Sequence, residues 1–311
     1  MTLNDGHIDE ICQLVQGHVL TRVPLSRFTS FKIGGPADLV VEPQNIEQLA
    51  AVISYLKERG IPRVFLGHGT NVLFHDAGFR GVVVQMHALR DFDVHTNGSG
   101  LGRISAAAGV PLSSVVSKAC SLGWTGLEPL WGIPGSFGGA VVTNAGAGGV
   151  CIGDFLVRIA LLSETGKETT LEKEQIRYGY RALDLPRGAV VVGGAVRLQH
   201  GEAASIESKL QNARSRRRAS QPLGLASAGC VFKNPSPDNP AGAMLDRLGF
   251  KGAAIGGAQV SERHANFIIN RGTATAADVL ELIERVRERV RQEEQIELEL
   301  EICVIGETAD V

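Results

Sequence analysis

The sequence predicts a mixed α and β fold of two or more domains, and three observations support this prediction. The chain has 311 residues, which exceeds the length of one average domain. Patterns typical of strands and helices alternate through the first half, around two glycine-rich turns. After the basic run at 213–218 the composition changes, and a second domain is expected to begin there.

The predicted helices each have a recognisable start or a single apolar face. Residues 6–19 form a short amphipathic pattern. Asn45 is a suitable N-cap for a helix from Ile46 to about Arg59. Gly60 would end that helix. Further helices are expected at 111–123 and at about 276–293.

Short apolar runs predict the strands, and the last of them has the clearest pattern. Apolar residues alternate strictly through 296–304. The opposite face carries Glu297, Glu299 and Glu301, for which a solvent-facing row of carboxylates is the simplest interpretation. The other predicted strands lie at 39–41, 63–66, 81–85, 103–107, 157–163 and 189–199.

Charge and composition argue against several classes of partner. The formal net charge of −2 gives no reason to expect nucleic acid or an anionic membrane. The five cysteines are scattered, without a CxxC pair or a histidine cluster, so reduced thiols are expected rather than disulfides or a metal site. No apolar run approaches the ~20 residues of a membrane span, and the N-terminus lacks a signal peptide pattern. A cytoplasmic location is therefore expected.

Segment 126–149 contains the densest cluster of glycines in the chain. Residues of this kind are tolerated where the backbone needs an unusual conformation or where a ligand lies against it. Pro134 stiffens the segment, and unpaired N–H groups in such a loop suit a diphosphate. A flexible linker is the alternative, but the apolar residues Leu130, Trp131 and Phe137 argue against one.

A second glycine-rich turn, 66–71, reads Leu-Gly-His-Gly-Thr-Asn and follows an apolar strand. Its Thr70 and Asn71 can bond phosphate or cap the next turn. Neither turn is the Gly-x-Gly-x-x-Gly fingerprint with an acidic residue about 20 positions later. Two separate loops able to hold phosphate indicate one extended dinucleotide.

These segments resemble a known family. The runs 66–71, 132–135 (Gly-Ile-Pro-Gly) and 144–147 (Asn-Ala-Gly-Ala) are similar to the flavin loops of the UDP-N-acetylenolpyruvoylglucosamine reductase (UDP-N-acetylmuramate dehydrogenase) family. The resemblance extends from about Phe28 to Gly306. The short stretch 150–176 matches the family's shorter form, which lacks an extra substrate loop.

The resemblance implies an α+β fold with two functional parts. The first is a two-subdomain FAD-binding domain of the vanillyl-alcohol-oxidase type at 21–205, with subdomains at about 21–88 and 89–205. The second is a C-terminal α+β substrate-binding domain at 213–308, and residues 1–20 form an N-terminal helical segment.

The implied activity is the NADPH-dependent reduction of UDP-N-acetylglucosamine enolpyruvate to UDP-N-acetylmuramate, an early step of peptidoglycan precursor synthesis. FAD would be bound noncovalently and NADPH would be the hydride donor. The residues implied to contact FAD are Leu66, Gly67, His68, Gly69, Thr70, Asn71, Gly132, Ile133, Pro134, Gly135, Ser136, Gly138, Gly139, Asn144 and Ala145.

Three residues match catalytic positions of the family. Arg181 carries a permanent charge and a forked donor set suited to a carboxylate. Cys230 occupies the general-acid position, where the family commonly has Ser, and Glu301 matches the catalytic glutamate. Without the resemblance, these residues would be interpreted as a surface arginine, a buried thiol and a solvated carboxylate. The implied substrate-binding residues are Tyr180, Lys233 and Asn234.

The chain also departs from the family pattern, which leaves alternatives open. Cys303 stands where the family usually has Arg, Thr143 where a larger residue is common, and Gly148 where Tyr is frequent. His264 is expected to be a hydrogen-bonded structural residue. The alternative functions are another FAD-linked oxidoreductase of the same fold, or a catalytically weak protein that binds flavin or a nucleotide sugar.

Overall fold

The computed structural model describes residues 3–96 and 100–306. Parts of three predicted domains therefore lie outside the described residues, namely 1–2, 97–99 and 307–308. None of the described helices is both long enough and apolar enough to span a membrane. The described helices are α1 (Asp5–Leu14), α2 (Ile46–Glu58), α3 (Leu112–Ser121), α4 (Phe137–Val142), α5 (Ala203–Ser220), α6 (Ala241–Arg247) and α7 (Ala276–Glu294).

The described strands are short, apart from a few in the middle of the chain. They are β1 (Val19–Pro24), β2 (Pro36–Val41), β3 (Arg63–Leu66), β4 (Val72–Phe74), β5 (Phe79–Gln85), β6 (Phe92–Thr96), β7 (Leu101–Ala107), β8 (Trp124–Thr125), β9 (Gly146–Ala147), β10 (Val150–Cys151), β11 (Leu156–Leu162), β12 (Glu168–Glu172), β13 (Tyr178–Gly179), β14 (Ala182–Leu183), β15 (Val190–His200), β16 (Ala254–Ile255), β17 (Ala258–Val260), β18 (Ile268–Asn270) and β19 (Cys303–Ile305).

The chain divides into two compact units. Unit 1 comprises Met1–Leu20, Leu39–His68 and Val82–Arg216. It contains two hydrophobic cores, one that includes Leu49 and Val82 and another around the buried Trp124. The second core surrounds an antiparallel sheet in the order β12-β11-β15-β7-β6, with β8 also paired to β15.

Unit 2 comprises Thr21–Asp38, Gly69–Gly81 and Arg217–Val311. Its described residues form one core, in which the apolar face of α7 joins residues such as Phe31 and Phe232. The sheet β16-β17-β18 is antiparallel, and β19 pairs in parallel with β4. Strands β1, β2 and β5, of the four-stranded sheet β1-β2-β5-β3, each run from one unit into the other.

Most predicted elements are present close to their expected limits. Asn45 caps α2, since its side chain accepts a hydrogen bond from the Gln48 amide at 2.9 Å. The helix predicted at 6–19 is too long, because Gln16 and Gly17 have positive φ angles and end it after Leu14. The basic run at 213–218 lies inside α5, and the division between the units falls within that helix.

The strand predicted at 296–304 is wrong over most of its length. Only Cys303–Ile305 is a strand, and it pairs with β4. Upstream of it, Leu300 forms an isolated bridge with Phe232, and the Leu298 carbonyl accepts a hydrogen bond from Arg287. Single contacts with several partners replace the continuous ladder that a long strand would need.

Candidate active site

In unit 1, the end of β3 and the glycine-rich segment lie against each other. Gly67 faces Ser136, whose hydroxyl would overlap any Cβ added at Gly67. Ser136 is buried and caps α4, because its hydroxyl accepts a hydrogen bond from the Gly139 amide at 3.2 Å. Leu66 is buried at the end of β3. The structure therefore brings the first part of the 66–71 turn into contact with the other predicted flavin loop. The turn belongs to unit 1 only up to His68.

The loop before α4 has a backbone that favours glycine. Gly132 and Gly135 have φ angles of 75° and 126°. Ile133 is half-buried and packs against the core around Trp124, which orients the loop. The exposed Pro134 lies between these residues. These observations support a stiff loop rather than a flexible linker.

Glu128 is a functional candidate that the sequence analysis missed. Its side chain is fully buried and accepts hydrogen bonds from the Thr125 hydroxyl at 2.6 Å and the Gly126 amide at 2.5 Å. Lys209 lies 4.0 Å away and supplies a positive charge. A buried carboxylate with such partners holds the entrance of the glycine-rich segment. The one available signal was an acidic residue in an otherwise apolar run.

The end of the glycine-rich segment is used mainly for packing. A Cβ at Gly138 would lie 2.6 Å from the Cβ of Ala108, so this glycine permits close approach of two chain segments. The Gly138 amide donates to the Ala108 carbonyl at 3.0 Å. Gly139 is exposed and Ala145 is buried. The flavin contacts of Gly138, Gly139 and Ala145 stay predictions.

Tyr180 and Arg181 lie beside the loop that contains Asn144, also in unit 1. Asn144 has a φ of 42°, and its side chain donates to the Gly179 carbonyl at 2.9 Å and accepts from the Gly153 amide at 3.1 Å. Arg181 has a φ of 57° and donates to the Gly146 carbonyl at 3.2 Å. Non-glycine residues in this conformation are uncommon and concentrate at functional sites. Tyr180 is 54% exposed, so its ring is available to a ligand.

In unit 2, the second half of the first glycine turn joins the C-terminal segment. Gly69 has a φ of 61°, and a Cβ there would overlap the Phe28 carbonyl. Asn71 donates from its side chain to the Glu301 carbonyl at 3.1 Å, and its own carbonyl accepts from the Cys303 amide at 2.9 Å. Thr70 lies between them. Asn71 therefore positions the backbone on both sides of Ile302.

The segments that carry Cys230 and Glu301 are hydrogen-bonded to each other. The Glu301 amide donates to the Val231 carbonyl at 2.8 Å, and the Lys233 amide donates to the Glu299 carbonyl at 2.9 Å. Cys230 and Glu301 are both half-buried. Unit 2 thus brings a thiol and a carboxylate from distant parts of the sequence onto two neighbouring, hydrogen-bonded segments.

Asn266 stabilises this arrangement, and the sequence analysis did not identify it. It is buried, and its side chain accepts from the Phe232 amide at 2.9 Å and donates to the Phe232 carbonyl at 2.8 Å. His264 accepts at Nδ1 from the Asn266 amide at 3.2 Å. Burial, with a smaller contribution from Lys251, lowers the pKa of His264, which favours the neutral ring that this acceptor role requires.

Lys233 and Asn234 have partners within unit 2. Lys233 forms an ion pair with Glu299 at 3.1 Å, and the Asn234 side chain accepts from the Ala241 amide at the start of α6 at 3.0 Å. Arg217 is also close to Cys230, and the electrostatic effect of Cys230 acts to raise the pKa of Arg217. Burial is the larger effect and lowers the pKa of Arg217 overall.

These residues fit FAD but provide no metal site. At the junction of the two loops in unit 1, the Ser136 hydroxyl occupies the space that a Cβ at Gly67 would need, so the Gly67 backbone carries no side chain there. A backbone surface of this kind suits a dinucleotide diphosphate. Within residues 3–96 and 100–306, no group of three or more His, Cys, Asp or Glu side chains is arranged to hold a metal ion.

Comparison with known proteins agrees with this assignment. A family model described as an FAD binding domain matches residues 37–172. A model described as the C-terminal domain of UDP-N-acetylenolpyruvoylglucosamine reductase matches residues 221–305.

Similar proteins cover nearly the whole chain. The UDP-N-acetylenolpyruvoylglucosamine reductase of Moorella thermoacetica is 44% identical over 289 residues, which cover 93% of this chain and 94% of that protein. The enzyme of the same name from Syntrophus aciditrophicus is 41% identical over 306 residues, or 98% of each chain. The crystal structure of the Thermus caldophilus enzyme aligns with a TM-score of 0.77 and 33% identity, covering 91% of this chain and 97% of that one.

The FAD-binding domain and the shared fold define an FAD-dependent oxidoreductase with an additional C-terminal α+β domain. The fold class expected from the sequence is confirmed. The chain belongs to the UDP-N-acetylenolpyruvoylglucosamine reductase family, which also confirms the resemblance.

Proposed function

We propose that this enzyme uses NADPH to reduce UDP-N-acetylglucosamine enolpyruvate to UDP-N-acetylmuramate, in the cytoplasm and as an early step of peptidoglycan precursor synthesis. We also propose that residues 21–205 hold FAD and that residues 213–308 hold the sugar nucleotide. The observation that carries the proposal is the hydrogen-bonded pairing of the Cys230 segment with the Glu301 segment. The family relatives are named as reductases of UDP-N-acetylenolpyruvoylglucosamine, which supports this choice of substrate and reaction.

The chemistry of the substrate decides which charges the protein must stabilise. FAD held by the loops 66–71 and 132–139 would supply hydride transfer, by which a hydride that originates from NADPH would reach the terminal methylene carbon of the enolpyruvyl group. Addition at that carbon, rather than at the carbon that bears the ether oxygen, leaves the electron pair conjugated with the carboxylate. Negative charge therefore develops on the carboxylate oxygens and on the carbon between them and the ether.

Each proposed catalytic residue has a role matched to that charge. The guanidinium of Arg181 would stabilise the carboxylate oxygens, because it remains charged at any relevant pH. Glu301, in its protonated form, would donate a hydrogen bond to the same oxygens. The Cys230 thiol would deliver a proton to the carbon that bears the ether, which completes the reduction. Tyr180, Lys233 and Asn234 are proposed to bind the substrate.

A spectrum and an assay of the purified protein test this function. The protein should carry flavin, and NADPH oxidation should depend on the enolpyruvyl nucleotide. Oxygen consumption with a sugar donor, together with no response to that nucleotide, would favour an oxidase. A rise in unfolding temperature with the nucleotide, without turnover, would favour a binding protein.

A further inference from the structure

The parallel pairing of β3 with β5 brings together two histidines for which the proposed reaction has no role. Leu66 lies opposite Gln85 in this register, and His68 and His87 follow these residues at the same spacing. The two imidazole rings stack, with centroids 4.9 Å apart and an interplanar angle of 18°. Both residues lie at the carboxyl ends of parallel strands, a common place for ligands in α/β sheets.

The His68 ring lies near the backbone of the other glycine loop. The backbone of Gly109, just before α3, and of Gly135, in the predicted flavin loop, each acts to raise the pKa of His68. A backbone carbonyl has this effect because it can accept a hydrogen bond from the protonated ring. A neutral imidazole has one N–H and can donate to only one carbonyl at a time, whereas an imidazolium can donate to both.

The side chain of Gln85 contacts the His87 ring of this histidine pair. Its Oε1 contacts Nδ1 of His87. The Gln85 side chain is buried, and its Nε2 has no hydrogen-bond partner among the described residues. Buried donors without a partner are rare in folded proteins and call for a functional or ligand-related reason.

Burial and the surrounding charges favour the neutral form of both rings in the free protein. Burial and then His87 and Arg90 lower the pKa of His68, against the opposing effect of the Gly109 and Gly135 backbone. Burial and Arg90 also lower the pKa of His87, against the opposing effect of Glu42. An anion held by the neighbouring loops would oppose these effects and favour protonation of His68.

We propose that His68, supported by His87 and Gln85, is a positioning residue that ties the two flavin loops together and makes FAD affinity depend on pH. This inference rests on the proposed function only in assigning the loops to the diphosphate of FAD. If FAD raises the pKa of His68, then binding takes up a proton. Affinity should therefore rise as the pH falls through the His68 pKa of the complex, by at most about tenfold per pH unit.

The test measures FAD dissociation constants by flavin fluorescence between about pH 5.5 and 8, around the ordinary histidine pKa. The wild type and the control His95→Gln, an exposed position on β6, should bind FAD at least about threefold more tightly at the acidic end. His68→Gln keeps N–H donors but cannot titrate, so its affinity should not change with pH. His87→Phe keeps the stacked ring and removes a neighbouring charge, so the rise should begin at higher pH.

A second measurement needs no variant that must fold. In proton NMR of the wild-type apoprotein, several histidines should titrate below the ordinary range, and at least one of them should move upward in pKa when FAD is added. The inference is overturned if His68→Gln shows the same pH profile as His95→Gln, or if no histidine responds to FAD. A wild type that turns over but has a pH-independent FAD affinity overturns this inference alone. A wild type that binds no FAD overturns the proposed function as well.

Discussion

The glycine-rich segment 126–149 of unit 1 and the C-terminal segment 296–305 of unit 2 both carry proposed functional residues, but they are held in different ways. In the first, Glu128 and Ser136 bond amides two and three residues away in sequence. In the second, the carbonyl of Glu301 is held by Asn71, 230 residues away. Local bonds belong to the sequence pattern itself, whereas distant partners come only with the tertiary fold.

The same difference separates the three glutamates of the C-terminal segment. Glu297 forms an ion pair with Arg291 at 2.8 Å, and Glu299 forms one with Lys233. Both glutamates are exposed, while Glu301 is half-buried beside the Cys230 segment. A shared face in the sequence therefore does not imply a shared environment, and each segment can be tested by changes that affect only its own support.

The largest effect is expected where the two flavin loops touch in unit 1. Gly67→Ala would place a methyl group on the Ser136 hydroxyl, and we expect most of the bound FAD to be lost. The flavin-to-protein ratio in the absorbance spectrum measures this, with Gly6→Ala as a control at an unobstructed glycine.

A double variant sharpens this test of the loop contact. Ser136→Ala removes the overlapping oxygen but also a helix cap that contributes about 1 kcal/mol. If the overlap is the cause, Gly67→Ala should cost less FAD affinity in the Ser136→Ala background than in the wild type. Additive effects of the two changes would show that the contact between the loops is unimportant.

In unit 2, the thiol should matter more than any other single group. Cys230→Ala should leave flavin reduction by NADPH nearly intact and slow substrate reduction by roughly 10²–10⁴-fold, the usual contribution of general acid catalysis. Stopped-flow measurement of the two half-reactions separates these effects. Cys230→Ser should recover much of the rate, and Cys12→Ala, in α1, serves as the control. A normal substrate half-reaction in Cys230→Ala would reduce Cys230 to a structural thiol.

The three glutamates provide a matched series within one segment. Glu301→Ala should lower the substrate half-reaction by on the order of 10²-fold, because it removes the proposed hydrogen-bond donor to the oxygens on which charge develops. Glu297→Ala and Glu299→Ala should leave that rate unchanged, since these residues form surface ion pairs. FAD binding should survive in all three variants. Equal rates across the series would remove Glu301 from the mechanism and favour the binding-only alternative.

The smallest effect is expected for the pH dependence of folding stability that arises from His264. The pKa of His264 is lowered in the folded protein, so the unfolded chain binds a proton more readily. The stability from the neutral ring is complete above about pH 6.5 and is lost as the pH falls below it, by at most about 1.4 kcal/mol per pH unit. Urea unfolding of His264→Asn should show a shallower decline between about pH 6.5 and 5 than the wild type. An identical decline would mean that His264 is not the titrating group.

Sequence alone was sufficient for the features that depend on near neighbours. The glycine loops, the Asn45 cap and the limits of most helices follow from local backbone preferences and short-range hydrogen bonds. The family motifs also depend on residue type at fixed spacing, which explains why the fold class and the cofactor could be predicted before the structure. The roles of Arg181, Cys230 and Glu301 stay predictions until the variants are measured.

Only the tertiary structure decided which distant groups meet. It interrupts the alternating segment 296–304, because Phe232, Val231 and Asn71 each bond it at single points. It buries Glu128 and stacks His68 on His87, through pairings between segments that no sequence period encodes. The physical reason is that a strand or a buried charge is stabilised by partners whose positions depend on the whole chain, whereas a turn or a cap is stabilised within a few residues.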